Sequence, residues 1–425
     1  MRHRVHCQPG QSQKPSRSTP QQPVIQKVER IHRPGVPPEF PRDLVELACE
    51  ILRQADRSHP ADAVLRSFLR ARRNLTRASR SLISEAVFSY YRWQGWLRSG
   101  SSLTAGLAQA IGLDRAWRDQ PDSFTDAELR ENTIPAWIHR QMTVSLEWLR
   151  ALQMPPKIWL RTRPGQTQEL ARRLGDCHPF PLGIHPTALH YTGTQNLFET
   201  LDYRQGLFEL QDICSQAVGW LCNPQPGQTW WDVCAGEGGK TLHLADLMKN
   251  QGLIWATDRA GWRLNRLRQR AARSRVYNCR TRIWNNLEHP PFNTRCDGVL
   301  VDAPCSGIGT WHRNPQARWT TSETDVLELA HLQEQLLHAA ASRVKPLGSL
   351  VYSVCTLTRA ETTSVADRFE ERHPEFKPHL VNHPFSTEAI PQARFTFLPQ
   401  EHQGNGMFVA IWQRTENPGK TRTVV

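Results

Sequence analysis

The chain has 425 residues, too many for one ordinary hydrophobic core, so two or three domains are expected. Lys and Arg outnumber Asp and Glu by 53 to 40, a formal charge of +13 that favours a polyanionic partner, nucleic acid first. No apolar run approaches the roughly 18 residues of a membrane helix, and the N-terminus has no apolar signal core, so a cytoplasmic protein without a membrane partner is expected.

Residues 1–38 are rich in Gln, Pro, Ser and Arg and read as a disordered basic tail. Residues 1–42 hold eight Lys or Arg against two acids, +6 of the net charge. A helical domain is predicted over 39–134. "PRDLVELACEILRQA", "ADAVLRSFLRARRNL" and "SRSLISEAVFSYYRWQGWLR" repeat apolar residues at helical spacing, the last with Ser as its cap and the second with a basic face. A polar patch over 115–134 follows. Residues 135–205 mix the two periods. "PAWIHRQMTVSLEWLRAL" and "TQELARRLGD" are helical and "KIWLRTRP" is a strand, which makes a small α+β linker domain.

From 206 to 414 the pattern changes, with 415–425 as a tail. "TWWDV", "GLIWATD", "CDGVLVDAP" and "GSLVYSVC" are short apolar runs, separated by helical segments such as "GKTLHLADLMK" and "SETDVLELAHLQEQLLHAAASRV". Alternating strands and helices predict an α/β domain with a mostly parallel sheet. Ligands of such sheets bind beyond the carboxyl ends of the strands.

The first strand runs into "WWDVCAGEGGKT", whose Gly236, Gly238 and Gly239 allow a backbone close to a ligand. The phosphate-loop pattern fails because Cys234 stands five before Gly239, and the dinucleotide pattern fails as well. The next strand ends at Asp258, where a carboxylate can accept from both hydroxyls of a ribose or cap the following helix. Together these features suit a nucleoside cofactor. Ten cysteines, at 7, 49, 177, 214, 222, 234, 279, 296, 305 and 355, include no C-x-x-C pair, so neither a metal site nor a disulfide framework is expected. Two of them, Cys305 in "VDAPCSGIGT" and Cys355 in "VYSVCTLT", follow buried strands. Core residues, a metal pair, a disulfide and two catalytic thiols are the alternatives, and residue spacing does not rank one thiol above the other.

"FELQDICSQAVGWL", "DVCAGEGGKT", "VDAPCSGIGTWHRNPQARW", "LVYSVCTLTRAE" and "GNGMFVAIW" resemble, in order and spacing, the Nop/Sun RNA cytosine-5 methyltransferases. Upstream, "HPADAVLRSFLRARRNLTRASRSLISEAVFSYYRW" looks like the NusB-like domain of the bacterial ribosomal RNA small subunit methyltransferase B branch, and "PAWIHRQM" and "KIWLRTRPGQT" look like its linker. The resemblance implies a class I, Rossmann-like methyltransferase domain behind an all-α NusB-like domain and a small α+β domain. It also implies S-adenosyl-L-methionine as cofactor, RNA as partner and a monomer. Its substrate would be small-subunit ribosomal RNA, with transfer RNA or a non-catalytic assembly role as alternatives. A DNA cytosine-5 enzyme would instead need Cys305 as the attacking thiol.

By position, the cofactor residues implied are Cys234, Ala235, Gly236, Glu237, Gly238, Gly239, Lys240, Asp258, Asn285 and Asp302. Asn285 stands where the family has an acid near the adenine, and Gly236-Glu237 replaces its Ala-Pro. Cys355 is implied as the nucleophile, Cys305 as the thiol that assists release, and Asp302 as a protonated acid facing cytosine nitrogen 3. Val354 replaces the family's Thr before the nucleophile. Arg313 and Arg318 are expected to order the substrate strand or close the pocket. Trp311 and Trp319 are expected to stack on bases or to pack in a core. Eight arginines between Arg263 and Arg282 offer phosphate contacts or an exposed helix face.

Overall fold

The computed structural model describes residues 40–180 and 186–416; the predicted tail over 1–38 lies outside them, as do residues 417–425 of the second tail. Helices α1 (Arg42–Gln54), α2 (Ala61–Ala71) and α3 (Arg77–Arg92) form where the apolar periodicity predicts them, and α1 buries Leu44, Val45, Ala48, Cys49, Ile51 and Leu52. The cap of α3 is Thr76 rather than a serine; its hydroxyl accepts from the Ser79 N–H at 3.1 Å. The predicted polar patch is ordered as the end of α4 (Leu103–Asp119) and a capping-box helix, α5 (Asp126–Asn132). Trp117, Phe124 and Leu129 are buried there and anchor the patch. Short α6 (Ile138–Gln141) and α7 (Leu146–Gln153) complete the layer, since Ile138, Trp148, Leu149 and Leu152 pack with Trp93 and Trp117. By packing, the helical layer therefore runs past the predicted boundary at 135.

A small antiparallel sheet comes next. It holds β1 (Ile158–Thr162), β2 (Cys177–Pro179), β3 (Ala188–Tyr191) and β4 (Phe208–Leu210) in the order β2-β3-β1-β4, with α8 (Thr167–Leu174) and α9 (Leu201–Arg204) between strands. Pairing of β4 with β1 carries this sheet across the predicted boundary at 206.

The large sheet begins after α10 (Ile213–Cys222). Its strands are β5 (Thr229–Asp232), β6 (Leu253–Asp258), β7 (Cys279–Ile283), β8 (Cys296–Asp302), β9 (Val344–Val354), β10 (Phe376–Pro378), β11 (Arg394–Phe397) and β12 (Met407–Arg414). The connecting helices are α11 (Gly239–Leu247), α12 (Gly261–Arg273), α13 (Ala317–Thr320), α14 (Glu323–Ala341), α15 (Thr363–Arg372) and α16 (Pro399–His402). The order β10-β12-β9-β8-β5-β6-β7 has parallel pairs from β9 to β7, with β12 antiparallel to β9. Alternation puts Trp230 into the core layer under α10–α12 and Trp231 into the layer under α14 and α15. Gly298 of β8 makes room for Trp230, because a Cβ there would stand 2.2 Å from the indole.

Connections leave β5 toward β6 on one side while β8 lies on the other, so a crevice opens beyond their carboxyl ends. Among the described residues no helix is long and apolar enough to cross a membrane.

Candidate active site

The turn after β5 needs glycine at two positions. Gly236 has φ +54° and Gly238 φ +88°, and a Cβ on Gly238 would meet Leu267 at 2.6 Å. A Cβ on Gly236 or Gly239 would meet nothing within 4 Å, so this backbone faces open space. Beneath the turn, Asp232 is buried and accepts from the Thr241 hydroxyl at 2.6 Å; burial raises its carboxyl pKa to about 7. Ala235 is buried beside it, and the half-buried Cys234 packs against the core layer under α14.

Asp258 serves two chain segments at once. Its Oδ1 accepts from the Ala260 N–H at 2.7 Å and its Oδ2 from the Gly236 N–H at 3.0 Å. It therefore ties the end of β6 to the glycine turn, and each carboxylate oxygen retains a lone pair for a further donor. Glu237 points away to Arg266 at 2.8 Å, and its carbonyl accepts from Arg270 at 2.8 Å. Asn285 is exposed in the loop after β7.

Lys240 is not a surface lysine. Its ammonium donates to Asp302 Oδ2 at 2.8 Å with the side chain 11% exposed. Burial opposes its charge, but the attraction and hydrogen bond of Asp302, with Cys355 and Asp232 adding, leave the net shift upward. Asp302 Oδ1 accepts from the Ser353 hydroxyl at 2.7 Å. Both Asp302 oxygens therefore have partners, Lys240 on one and Ser353 on the other. Ser353 had not been singled out in the sequence; it stands two before Cys355, the spacing that returns to one face of a strand.

Cys305 and Cys355 reach the same point from β8 and β9, with sulfurs 3.3 Å apart. The loops are joined by the Gly309 N–H donating to the Cys355 carbonyl at 3.1 Å. The thiol–thiol hydrogen bond is the largest influence on both groups. It lowers the pKa of Cys355, helped by Lys240 and opposed by burial, and it raises that of Cys305, where burial adds. Cys355 is thus the thiolate-prone partner of the pair. Val354 is wholly buried in the strand. Among the described residues no cluster of three His, Cys, Asp or Glu could hold a metal ion.

Arg313 is exposed, its side chain 42% accessible, and lies 3.6 Å from the buried Asp212. Other expected substrate contacts turn toward the protein. Arg318 is fully buried and donates to the carbonyls of Arg92, Thr133 and Leu152. Trp311 stacks on Trp148 with no exposed surface, and the Trp319 N–H donates to the Tyr91 carbonyl at 2.6 Å. The segment after Cys305 therefore docks onto the helical layer. Of the eight arginines, Arg270 and Arg273 pair with Glu209 of β4 and Arg266 with Glu237. No motif marked these pairings, since each partner comes from a distant segment.

Residues 219–413 match the family model described as 16S rRNA methyltransferase RsmB/F. The "Probable ribosomal RNA small subunit methyltransferase B" of Synechocystis sp. is 36% identical over 271 residues, covering 60% of this chain and 59% of that protein. The Homo sapiens "28S rRNA (cytosine(4447)-C(5))-methyltransferase" is 30% identical over 294 residues, covering 64% of this chain and 36% of that protein. The chain thus spans less than two thirds of the length of either relative. In fold, the crystal structure of PH0851 is similar with a TM-score of 0.73 at 22% identity, covering 90% of this chain and 100% of that one.

Proposed function

We propose that the protein belongs to the 16S rRNA methyltransferase RsmB/F family, whose model residues 219–413 match, and that it transfers a methyl group from S-adenosyl-L-methionine to carbon 5 of a cytosine in RNA. Small-subunit ribosomal RNA is the proposed substrate. The observation that carries this reading is the thiol pair, 3.3 Å apart and flanked by the Lys240–Asp302 ion pair. The open face over Gly236 and Gly239 and the spare lone pairs of Asp258 fit the cofactor, the first by admitting it and the second by accepting from a ribose diol.

When bound, S-adenosyl-L-methionine supplies an electrophilic methyl group on a sulfonium. Carbon 5 of cytosine is too weak a nucleophile to take that methyl unaided. Addition of the Cys355 thiolate to carbon 6 breaks the ring's aromaticity and turns carbon 5 into an enamine-like centre, which makes this covalent catalysis. Charge builds toward ring nitrogen 3 and the carbonyl, where the Lys240 ammonium held by Asp302 can donate. Once carbon 5 carries the methyl group, its hydrogen leaves as a proton and the carbon 6–sulfur bond breaks, returning the electron pair to Cys355. Cys305 is placed to assist this release. The target base must lie outside a duplex to reach the thiols, which favours a loop or bulge of a structured RNA.

Bisulfite mapping of ribosomal RNA, with and without the gene, tests the activity. One methylcytosine in small-subunit RNA should vanish and return on complementation; an unchanged map overturns the reading, and a loss confined to transfer RNA moves the substrate. The division of labour has its own test. Cys305→Ala should accumulate a covalent protein–RNA adduct, seen as a denaturant-resistant band, and trapping by Cys355→Ala instead would exchange the two roles. Replacing Lys240 by Met should slow single-turnover transfer about 100-fold, the low end of general acid–base effects. It should also move the acidic limb of the rate profile upward, because the Lys240 charge helps hold Cys355 as a thiolate.

A further inference from the structure

One carboxylate that the chemistry above does not use lies between the two thiol loops. Glu361 is wholly buried. Its Oε1 accepts from the Ser306 N–H at 2.8 Å and from the Gln333 amide at 3.1 Å. Its Oε2 accepts from the hydroxyls of Ser306 at 2.5 Å, Thr358 at 2.9 Å and Thr356 at 3.1 Å. Ser306 follows Cys305 and Thr356 follows Cys355, so one side chain holds the neighbours of both thiols. The Ser306 and Thr356 hydroxyls also meet directly at 2.9 Å.

A second tether closes the frame. The Gln333 amide, on α14, donates to the Pro304 carbonyl at 2.9 Å, just before Cys305. Tyr352 of β9 donates to the Gln333 side-chain oxygen at 2.9 Å and to the Glu361 carbonyl at 2.6 Å. Ser306, after Cys305, is thus bound to the carboxylate that holds Thr356, and Pro304, before it, to the Gln333 amide that also donates to that carboxylate.

These Glu361 contacts are all to neutral donors, and its negative charge opposes thiolate formation at both cysteines. Activating the thiols is therefore not what this residue does. Five donors converging on one buried carboxylate instead fix geometry, because a carboxylate is the only side-chain group that accepts on every side and donates nowhere.

We propose that Glu361 is a positioning residue that sets the spacing of Cys305 and Cys355 by holding both of their loops to one buried carboxylate. The proposal rests on the reading that Cys355 attacks and Cys305 assists release. Release needs both thiols at the same ring, whereas attack needs Cys355 alone, so a loosened frame should slow release more than attack.

The test compares Glu361→Gln, Glu361→Asp and Ser306→Ala in the full-length protein with substrate RNA. Ser306→Ala, which loses one hydroxyl tether and keeps the fold's buried carboxylate, should form adduct at the wild-type rate and release it several-fold more slowly. Glu361→Gln should accumulate adduct as well. It should also move the acidic limb of the adduct-formation rate to lower pH, since a negative charge beside the thiols is gone. Glu361→Asp keeps the charge but is shorter; it should slow release without that shift. A purely structural role predicts lower melting temperatures with no change in adduct lifetime or pH limb, and that result overturns the proposal. Wild-type and Cys305→Ala proteins serve as references. If neither reacts with RNA, the functional reading fails; if Cys305→Ala traps RNA while all three variants release like wild type, only the role of Glu361 fails.

Discussion

Cys355→Ala is expected to abolish methyl transfer, lowering single-turnover rates by at least about 10⁴-fold, the scale on which loss of a covalent nucleophile is felt. It should also leave no RNA adduct on a denaturing gel. The Cys305 thiol is only 3.3 Å away, yet it should not substitute. Its hydrogen bond to Cys355 and its burial both raise its pKa. Only a thiolate attacks efficiently, and the shifts favour that form at Cys355 over Cys305. The wild-type rate should therefore fall as pH drops through a Cys355 value lying below the ordinary thiol value of 9.0. In Cys305→Ala the largest influence lowering that value is removed, so the acidic limb of adduct formation should move upward. A rate profile with the same limb in both proteins would contradict this origin of the thiolate.

Arg318→Met is expected to destabilise the fold by about 3–5 kcal/mol, read as a lowered midpoint in urea with unchanged slope. The guanidinium is buried with no carboxylate bonded to it, and burial, with the neighbouring Arg92, pulls its pKa down to about 9. Its partners explain why it stays charged at neutral pH. Arg92 is the last residue of α3, Thr133 caps α5, and Leu152 lies in the last turn of α7. One cation thus meets three helix carboxyl ends, where carbonyls lack intrahelical donors and the helix dipole is negative. A methionine fills the volume and strands those carbonyls. Because Arg318 follows the Cys305 loop, and Ile308, Trp311 and Leu357 share the helical layer's core, the same substitution should also lower activity at temperatures where the protein is still folded.

Legibility varied with the range of the interaction. The strands of the large sheet were readable because each is a short apolar run with its own boundaries, as in "TWWDV" and "GLIWATD". Asp258, Asp302, Cys305 and Cys355 were readable as strand-end residues for the same reason, and their roles came with the family resemblance. Lys240 is implied by the resemblance as a cofactor residue, and the structure gives it Asp302, 62 positions away. For Trp311 and Trp319 the sequence leaves base stacking and core packing open, and the inward turn of Arg318 is not legible at all, because charged and aromatic residues after a catalytic loop look the same whether they meet RNA or another layer of the protein. α7 packs with the helical layer and β4 pairs with β1, contacts across the expected boundaries at 135 and 206 that no local pattern marks.

By itself, the sequence determined the class of domain, the order of its strands along the chain, the glycine turn and which side chains stand at strand ends. These depend on period, on turn chemistry and on neighbours a few residues apart. Only the tertiary structure decided that two thiols 50 residues apart share a hydrogen bond, that Asp302 faces an ammonium, and that Glu361 holds both loops. Such pairings join segments whose distance along the chain says nothing about their distance in space, and they exist only once the sheet has brought the ends of β8 and β9 together.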